Sequence, residues 1–440
     1  MVSRPRALRA LAALAALATS GCSIFTDSFL VDDFSGDPFP IDVDTSTGAV
    51  VVGVGESGFP DRVGVLDVLS PFTIVDGGPD VVPSISYPDL TVLGAAGPGC
   101  PLTRPRAKLA APQVITLHPC ADSTCSVGPD GASLAYGAII GADALAGDDI
   151  RFDLASDQIF IFPNVAGDDA HRSTVCDAVL PAPYRGGGTA IVNGTELGYT
   201  GRRITIDVCL AFDPDPAKLQ SARGADALFV VSTGIGTSLM GESAYARYRV
   251  AEGNAPLPVE QLPTQTVDLP SGPTTGHATT VPSMALVGNS DPNTRGPCRQ
   301  VYAHHLLTPA DCGAGSDVDC PCRDGGTGNA NLTFCGVPAI VEMSPPAGFD
   351  VLVIPDDDPT LQALRTELRP DQPEVDGILG TSALRTLELD ADYPHDRALV
   401  RCTDPSCSTR PELPDTTSRT QVQGCVAGNG SGTGSSGPIP

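Results

Sequence analysis

Residues 139–160 read IIGADALAGDDIRFDLASDQIF, and residues 378–399 read ILGTSALRTLELDADYPHDRAL. The two stretches align without a gap at an offset of 239 residues. Ile139 matches Ile378, Ile140 matches Leu379, and Gly141 matches Gly380. Ala144 and Leu145 match Ala383 and Leu384, and Asp153 and Asp157 match Asp392 and Asp396. Each copy has two apolar residues, a glycine, a short helical turn and then a strand–turn–strand ending. An internal repeat of this kind points to a chain built from two related halves.

Each copy has an apolar partner segment upstream. In the first half this is residues 63–75, VGVLDVLSPFTIV, and in the second it is residues 228–239, LFVVSTGIGTSL. Both begin as a β-rich run and turn at a polar residue, Asp67 or Ser232. Six positions later each has a hydroxyl residue, Thr73 or Ser238.

A strand ending in Asp-Thr/Ser-Gly, with a distant apolar-apolar-Gly strand in the same lobe, resembles the pattern of pepsin-like and retropepsin-like aspartic peptidases. The resemblance covers most of residues 48 to 403. It implies an all-β, bilobal, acid-protease-like double β-barrel that arose by internal duplication. The chemistry it implies needs two carboxylates facing each other across the lobe interface. Two such groups cannot both ionise at that distance, so they share one proton. The ionised member takes a proton from water while the protonated member polarises the scissile carbonyl. A Thr or Ser after each Asp ties the two turns together, and Gly follows where the backbones approach closely.

This chain departs from the pattern in both halves. Asp67 and Ser70 suit their positions, but Val68 and Leu69 stand between them, without a hydroxyl and without a glycine. In the second half Thr233 and Gly234 are kept, and Ser232 replaces the second Asp. A serine cannot share the dyad proton, and a lone Asp67 lacks the like-charge partner that separates the two pKa values. The expectation is a pseudopeptidase with a degenerate dyad, Asp67 and Ser232. The bland readings are a hydrogen-bonded turn residue for Asp67 and a polar strand end for Ser232.

Composition agrees with a strand-and-turn protein. The 440 residues include 48 Gly, 42 Pro and no Trp, and 41% are hydrophobic. That apolar content is enough for a sizeable core, and the length suits two or three domains. The formal charge is −26. An excess of acid argues against nucleic-acid partners, which require a basic surface, and against adsorption to an anionic membrane.

Arg4, Arg6 and Arg9 precede a short apolar run from Leu11 to Ala18, which ends in Thr19-Ser20-Gly21-Cys22. The run is too short to span a bilayer and reads as a secretory signal peptide. The small residues before Cys22 resemble a bacterial lipobox, with Thr19 where that motif usually has Leu. Acylated Cys22 would then be the mature N-terminus, and loss of three Arg with no acid takes the charge from −26 to −29. The expected division is a signal peptide at 1–21, a tether at 22–47, lobe one at 48–218, lobe two at 219–403 and a flexible tail at 404–440. The expected place is the cell envelope, on the periplasmic or outer-surface side, with membrane contact through the lipid only.

The 14 Cys fit an oxidising compartment. Cys120/Cys125 and Cys402/Cys407 enclose short loops, and Cys176/Cys209 could tie the end of lobe one. With Cys22 acylated, an odd number remains. Cys298, Cys312, Cys320, Cys322 and Cys335 surround His304 and His305 but lack paired Cys-x2-Cys units, so no metal is expected. There is no Gly-x-Ser-x-Gly elbow: Gly236-Thr237-Ser238-Leu239-Met240 fails at its last position. Gly186-Gly187-Gly188-Thr189 lacks the Lys of a phosphate loop and reads as a turn. No cofactor is expected. The leading expectation is a lipid-anchored pseudopeptidase that binds peptide or protein in the inter-lobe cleft by strand pairing. The alternatives are an active aspartic endopeptidase using Asp67 with a second carboxylate, and a structural envelope lipoprotein.

Overall fold

The structure is a computed structural model. It describes residues 38–56, 62–76, 82, 84–86, 90–94, 106–109, 114–117, 137–163, 178–180, 184–192, 195–211, 224–269, 272–287, 296–298, 301, 339–368, 374–393 and 397–411. Cys22, the signal peptide, Cys120, Cys125, Cys176, Asp396, the Cys/His cluster beyond Cys298 and residues 412–440 lie outside the described residues.

The fold is all-β and bilobal. A nine-stranded sheet belongs to the first half, an eleven-stranded sheet to the second, and a six-stranded sheet is built by both. The repeat maps onto equivalent elements without slippage. Strand Ala138–Ile140, helical turn Ala142–Leu145 and strands Asp148–Asp153 and Gln158–Pro163 make the first copy. Gly377–Leu379, Thr381–Leu384, Leu387–Asp392 and Arg397–Cys402 make the second.

Gly141 and Gly380 are glycines for the same steric reason. A Cβ on Gly141 would lie 2.2 Å from the carbonyl oxygen of Phe72, and one on Gly380 would lie 2.6 Å from that of Gly236. The helical turns begin where the chain passes under the upstream loops. The Ala142 and Thr381 amides donate to the carbonyls of Ser70 and Ile235, each at 2.8 Å. The repeated Asp153 closes its turn by accepting from the Ser156 amide at 3.1 Å. Asp157 takes φ +52°, a conformation Asp adopts more readily than most residues.

In the shared sheet, strand 148–153 pairs antiparallel with strand 387–392, so the two copies meet edge to edge. Ile150, Phe152, Leu387, Leu389 and Ala391 alternate onto the core face and are fully buried. At ~25 cal/mol per Å² of apolar surface, rows of this kind supply the main force holding the halves together.

Several segments sit differently from their sequence reading. Strands Tyr184–Val192 and Thr195–Leu210, within the stretch expected as lobe one, hydrogen-bond into the second half's sheet. Within the expected tether, strand Pro38–Pro40 pairs with Gln158–Pro163, because Phe39 and Ile41 bury fully against the core. Within the expected tail, strand Cys407–Pro411 pairs with Ala339–Met343 and is tied back by the Cys402–Cys407 disulfide. Cys209 bonds Cys298 rather than Cys176. Cys209 lies opposite Asp226 in its sheet, and the Asp226 carboxylate accepts from the Cys298 amide at 2.8 Å, which seats the two sulfurs together.

Candidate functional site

Asp67 and Ser232 occupy equivalent places. Each follows a strand that is parallel to an apolar-apolar-Gly strand, Arg62–Leu66 with Ala138–Ile140 and Ala225–Val231 with Gly377–Leu379. The Asp67 amide donates to the Ile140 carbonyl at 3.0 Å, and the Ser232 amide donates to the Leu379 carbonyl at 2.9 Å. The hydroxyls six positions on are equivalent as well. Thr73 Oγ1 accepts from the Gly141 amide at 3.2 Å, and Ser238 Oγ accepts from the Gly380 amide at 3.1 Å.

The two turns touch. The Ser232 hydroxyl donates to Asp67 Oδ1 at 2.8 Å. The same oxygen accepts from the Leu69 amide at 2.9 Å and the Gly234 amide at 3.1 Å. The Gly234 amide also reaches Ser232 Oγ at 3.1 Å. Oδ1 is therefore held by three donors, while Oδ2 has no hydrogen-bond partner among the described residues. Asp67 is 3% exposed and Ser232 is fully buried. Burial pushes the Asp67 carboxyl above its ordinary value, opposed by the three donors and, more weakly, by the Arg203 guanidinium.

Thr233 ties the turns from one side only. Its hydroxyl accepts from the Val68 amide at 3.1 Å and donates to the Leu66 carbonyl at 2.7 Å. The equivalent residue of the first half, Val68, is buried and has no hydroxyl to return the bonds. Ser70 shapes its own turn, donating from its amide to the Asp67 carbonyl and from its hydroxyl to the Phe72 carbonyl. Gly234 must be glycine, since a Cβ there would lie 2.6 Å from Asp67 Cγ. Leu69 holds the equivalent position in the other turn and packs against the apolar cluster around Ile235 and Ile378.

A cavity of about 380 Å³ opens at Asp67. Leu69, Ile139, Ile235, Ile378 and Leu364 give it apolar walls. Two charged residues that sequence reading did not single out, Arg203 and Glu367, also line it. Arg203 comes from strand Thr195–Leu210 and Glu367 from helix Pro359–Leu368. They form a two-pronged ion pair, Nε to Oε1 at 3.0 Å and Nη2 to Oε2 at 2.7 Å. Both side chains are under a tenth exposed. Tyr199 adds a hydrogen bond to Glu367 at 3.3 Å and sets its ring against Phe72 at 4.7 Å. The residues lie 164 positions apart, and in the sequence Arg203 is one polar residue within a β-rich run.

Two further acids attend the site. Asp143 Oδ1 accepts from the Thr73 hydroxyl at 2.8 Å, and burial raises that carboxyl to about 6. Tyr393, from the repeat's Asp-Tyr-Pro, is buried, and its phenol is pushed up first by burial and then by the charge of Asp67. Among the described residues no group of His, Cys, Asp and Glu is arranged to hold a metal ion.

The arrangement offers one carboxyl beside one hydroxyl. Asp67 can take or give a proton at Oδ2. Ser232 cannot serve as the second acid, because a hydroxyl does not ionise in the carboxyl range. Nor is Ser232 poised as a nucleophile: the oxygen that would take its proton is already shared with two amides, and no imidazole among the described residues is bonded to it.

No protein-family model and no curated protein matches the chain. Solved structures with a similar course include basic 7S globulin from soybean, at 11% identity and TM-score 0.39, covering 84% of this chain and 96% of that one. They also include an aspartic proteinase from Irpex lacteus, at 13% identity and TM-score 0.36, covering 84% of this chain and 98% of that one.

Proposed function

We propose that this chain is a catalytically silent aspartic-peptidase-like protein, lipid-anchored in the cell envelope, that binds extended peptide in its inter-lobe cleft. The observation that carries this reading is the Ser232 hydroxyl donating to Asp67 at the position where peptide hydrolysis needs a second carboxyl. Hydrolysis by this route requires one acid to protonate while its partner accepts. A site with one carboxyl can do either, but not both at once. The apolar cavity beside Asp67 supports binding, since apolar walls with a few polar groups suit a peptide side chain. Cys22 after its short apolar run supports the anchor.

Glu367 favours a second reading, active hydrolysis with Asp67 and Glu367 as the pair, because it lines the same cavity. Its two-pronged bond to Arg203 weighs against that, since both oxygens of the carboxylate are already held by the guanidinium.

The test is incubation of the mature protein with a denatured globular substrate across pH 3 to 6, beside Asp67→Asn. No cleavage above the variant's is expected. Cleavage by the parent that the variant abolishes would overturn the reading. Peptide-library binding that is lost when Ile235→Trp fills the cavity supports the cleft as the binding site, and undiminished binding refutes it. Mass spectrometry should find acylated Cys22 at the mature N-terminus, and an unmodified peptide starting elsewhere would refute the anchor.

A further inference from the structure

The strands that join the halves carry a second pattern on the face away from the apolar rows. Asp149, Arg151 and Asp153 project there from strand 148–153, and Glu388, Asp390 and Asp392 project there from strand 387–392. All six are buried, each under a tenth exposed. Register places Asp149 opposite Asp392, Arg151 opposite Asp390 and Asp153 opposite Glu388. Arg151 and Asp390 are also the same position of the repeat, 239 residues apart. A residue that faces its own repeat-equivalent lies on the pseudo-twofold axis relating the halves. Arg151 Nη2 meets Asp390 Oδ2 at 2.9 Å on that axis, with Glu388 at 3.9 Å from Nη1.

We infer that Arg151 and Asp390 are the charge pair that selects lobe-one-to-lobe-two pairing and rejects pairing of either strand edge with a second copy of itself. On an exact twofold an axial residue faces its own copy, so opposite charges there are possible only after the two halves have diverged. Self-pairing of strand 148–153 about this axis would set Arg151 against Arg151. Self-pairing of strand 387–392 would set Asp390 against Asp390. Like charges directly opposite in a sheet are destabilising, and burial deepens the effect. Asp390 is held well above its ordinary value, first by burial and then by the neighbouring Asp149. A buried ion pair is weak grounds for stability, and fixing which surfaces meet is its better-attested use.

The four remaining acids flank the axis from both strands, so an arginine at either axial position has carboxylates beside it. This makes the charge swap the deciding experiment in the full chain. Arg151→Asp and Asp390→Arg should each raise the unfolding constant by about 100-fold or more in denaturant titration. The double variant Arg151→Asp/Asp390→Arg should return to within about tenfold of the parent and remain monomeric by light scattering. If neither single variant folds, the double variant is the readout on its own: a folded monomer supports the inference, and a chain that does not fold overturns it. Single variants as stable as the parent overturn it, as does a double variant no better than the two losses combined.

Discussion

Ser232 donates its hydroxyl to Asp67 Oδ1 at 2.8 Å, across 165 residues of chain and between equivalent turns of two related halves. On the function proposed above, the bond stands where an active peptidase would have two carboxyls sharing a proton. Gly234 lies close against Asp67, while its equivalent in the other turn is Leu69, packed on the apolar cluster around Ile235 and Ile378.

Rebuilding the pair should therefore need more than one change. Ser232→Asp alone should lower stability, since the longer side chain meets Leu69 and brings a second buried acid against Asp67. Adding Leu69→Gly and Val68→Thr opens the turn and restores the missing hydroxyl. The triple variant should recover the stability lost by the single one and cleave a denatured substrate at pH 4. Release of acid-soluble peptides reads this directly. A single variant as stable as the parent would show that Leu69 does not exclude the carboxyl.

Thr233 ties its hydroxyl to the other turn's backbone without a reciprocal bond from Val68. Thr233→Val keeps the shape and removes both bonds, leaving the buried Val68 amide and Leu66 carbonyl without their partner. The expected loss is ~1–3 kcal/mol, read from the midpoint of urea unfolding. A change below ~0.5 kcal/mol would mean that water or a neighbour replaces the hydroxyl.

Arg203 and Glu367 should behave as a unit. Arg203→Leu strands a buried carboxylate and should cost ~3–5 kcal/mol, while Arg203→Leu/Glu367→Leu should recover most of that. The pair's coupling follows from the double-mutant cycle. Simple addition of the two single effects would contradict the ion pair as the source.

Acid should strengthen this fold. Burial raises Asp143 to about 6, burial and then the charge of Asp149 raise Asp148 to about 6, and burial also raises Asp67, Asp376 and Asp390. A carboxyl raised in the folded state binds its proton more tightly there than in the unfolded chain. Its contribution is fully present below the ordinary value of 3.8 and is lost as pH rises through the folded value. Between pH 7.5 and pH 5 the melting temperature should thus rise by a few degrees, and Asp143→Asn should flatten that slope. A melting temperature that falls over this interval would contradict the shifts.

Much of the fold was legible because duplication wrote it twice. Gly141 and Gly380, and the apolar pairs before them, marked the same close approach in each half. The copies could be aligned before any contact was known. Asp67 and Ser232 followed from the turns upstream of those glycines. Partners held by distant side chains were not legible. Arg203 reads as one more strand residue until helix 359–368 brings Glu367 to it. Likewise, the repeat put Arg151 and Asp390 at one aligned position, but only the antiparallel register turned them to face each other. Cysteine spacing suggested Cys176 for Cys209, whereas the sheet register at Asp226 brought Cys298 there. The ends of the lobes were drawn too narrowly because acidic and proline-rich flanks masked single anchors such as Phe39.

Titration of Asp67 itself shows whether one carboxyl or two stand at this site. Carbon NMR on protein labelled at the aspartate carboxyls would follow the Asp67 Cγ signal, assigned by its loss in Asp67→Asn. The expected result is a single step above 3.8, moved higher still in Ser232→Ala as one donor is lost. Two coupled steps on that signal, with one apparent value pushed below 3.8, would reveal a second carboxyl sharing the proton and contradict the claim.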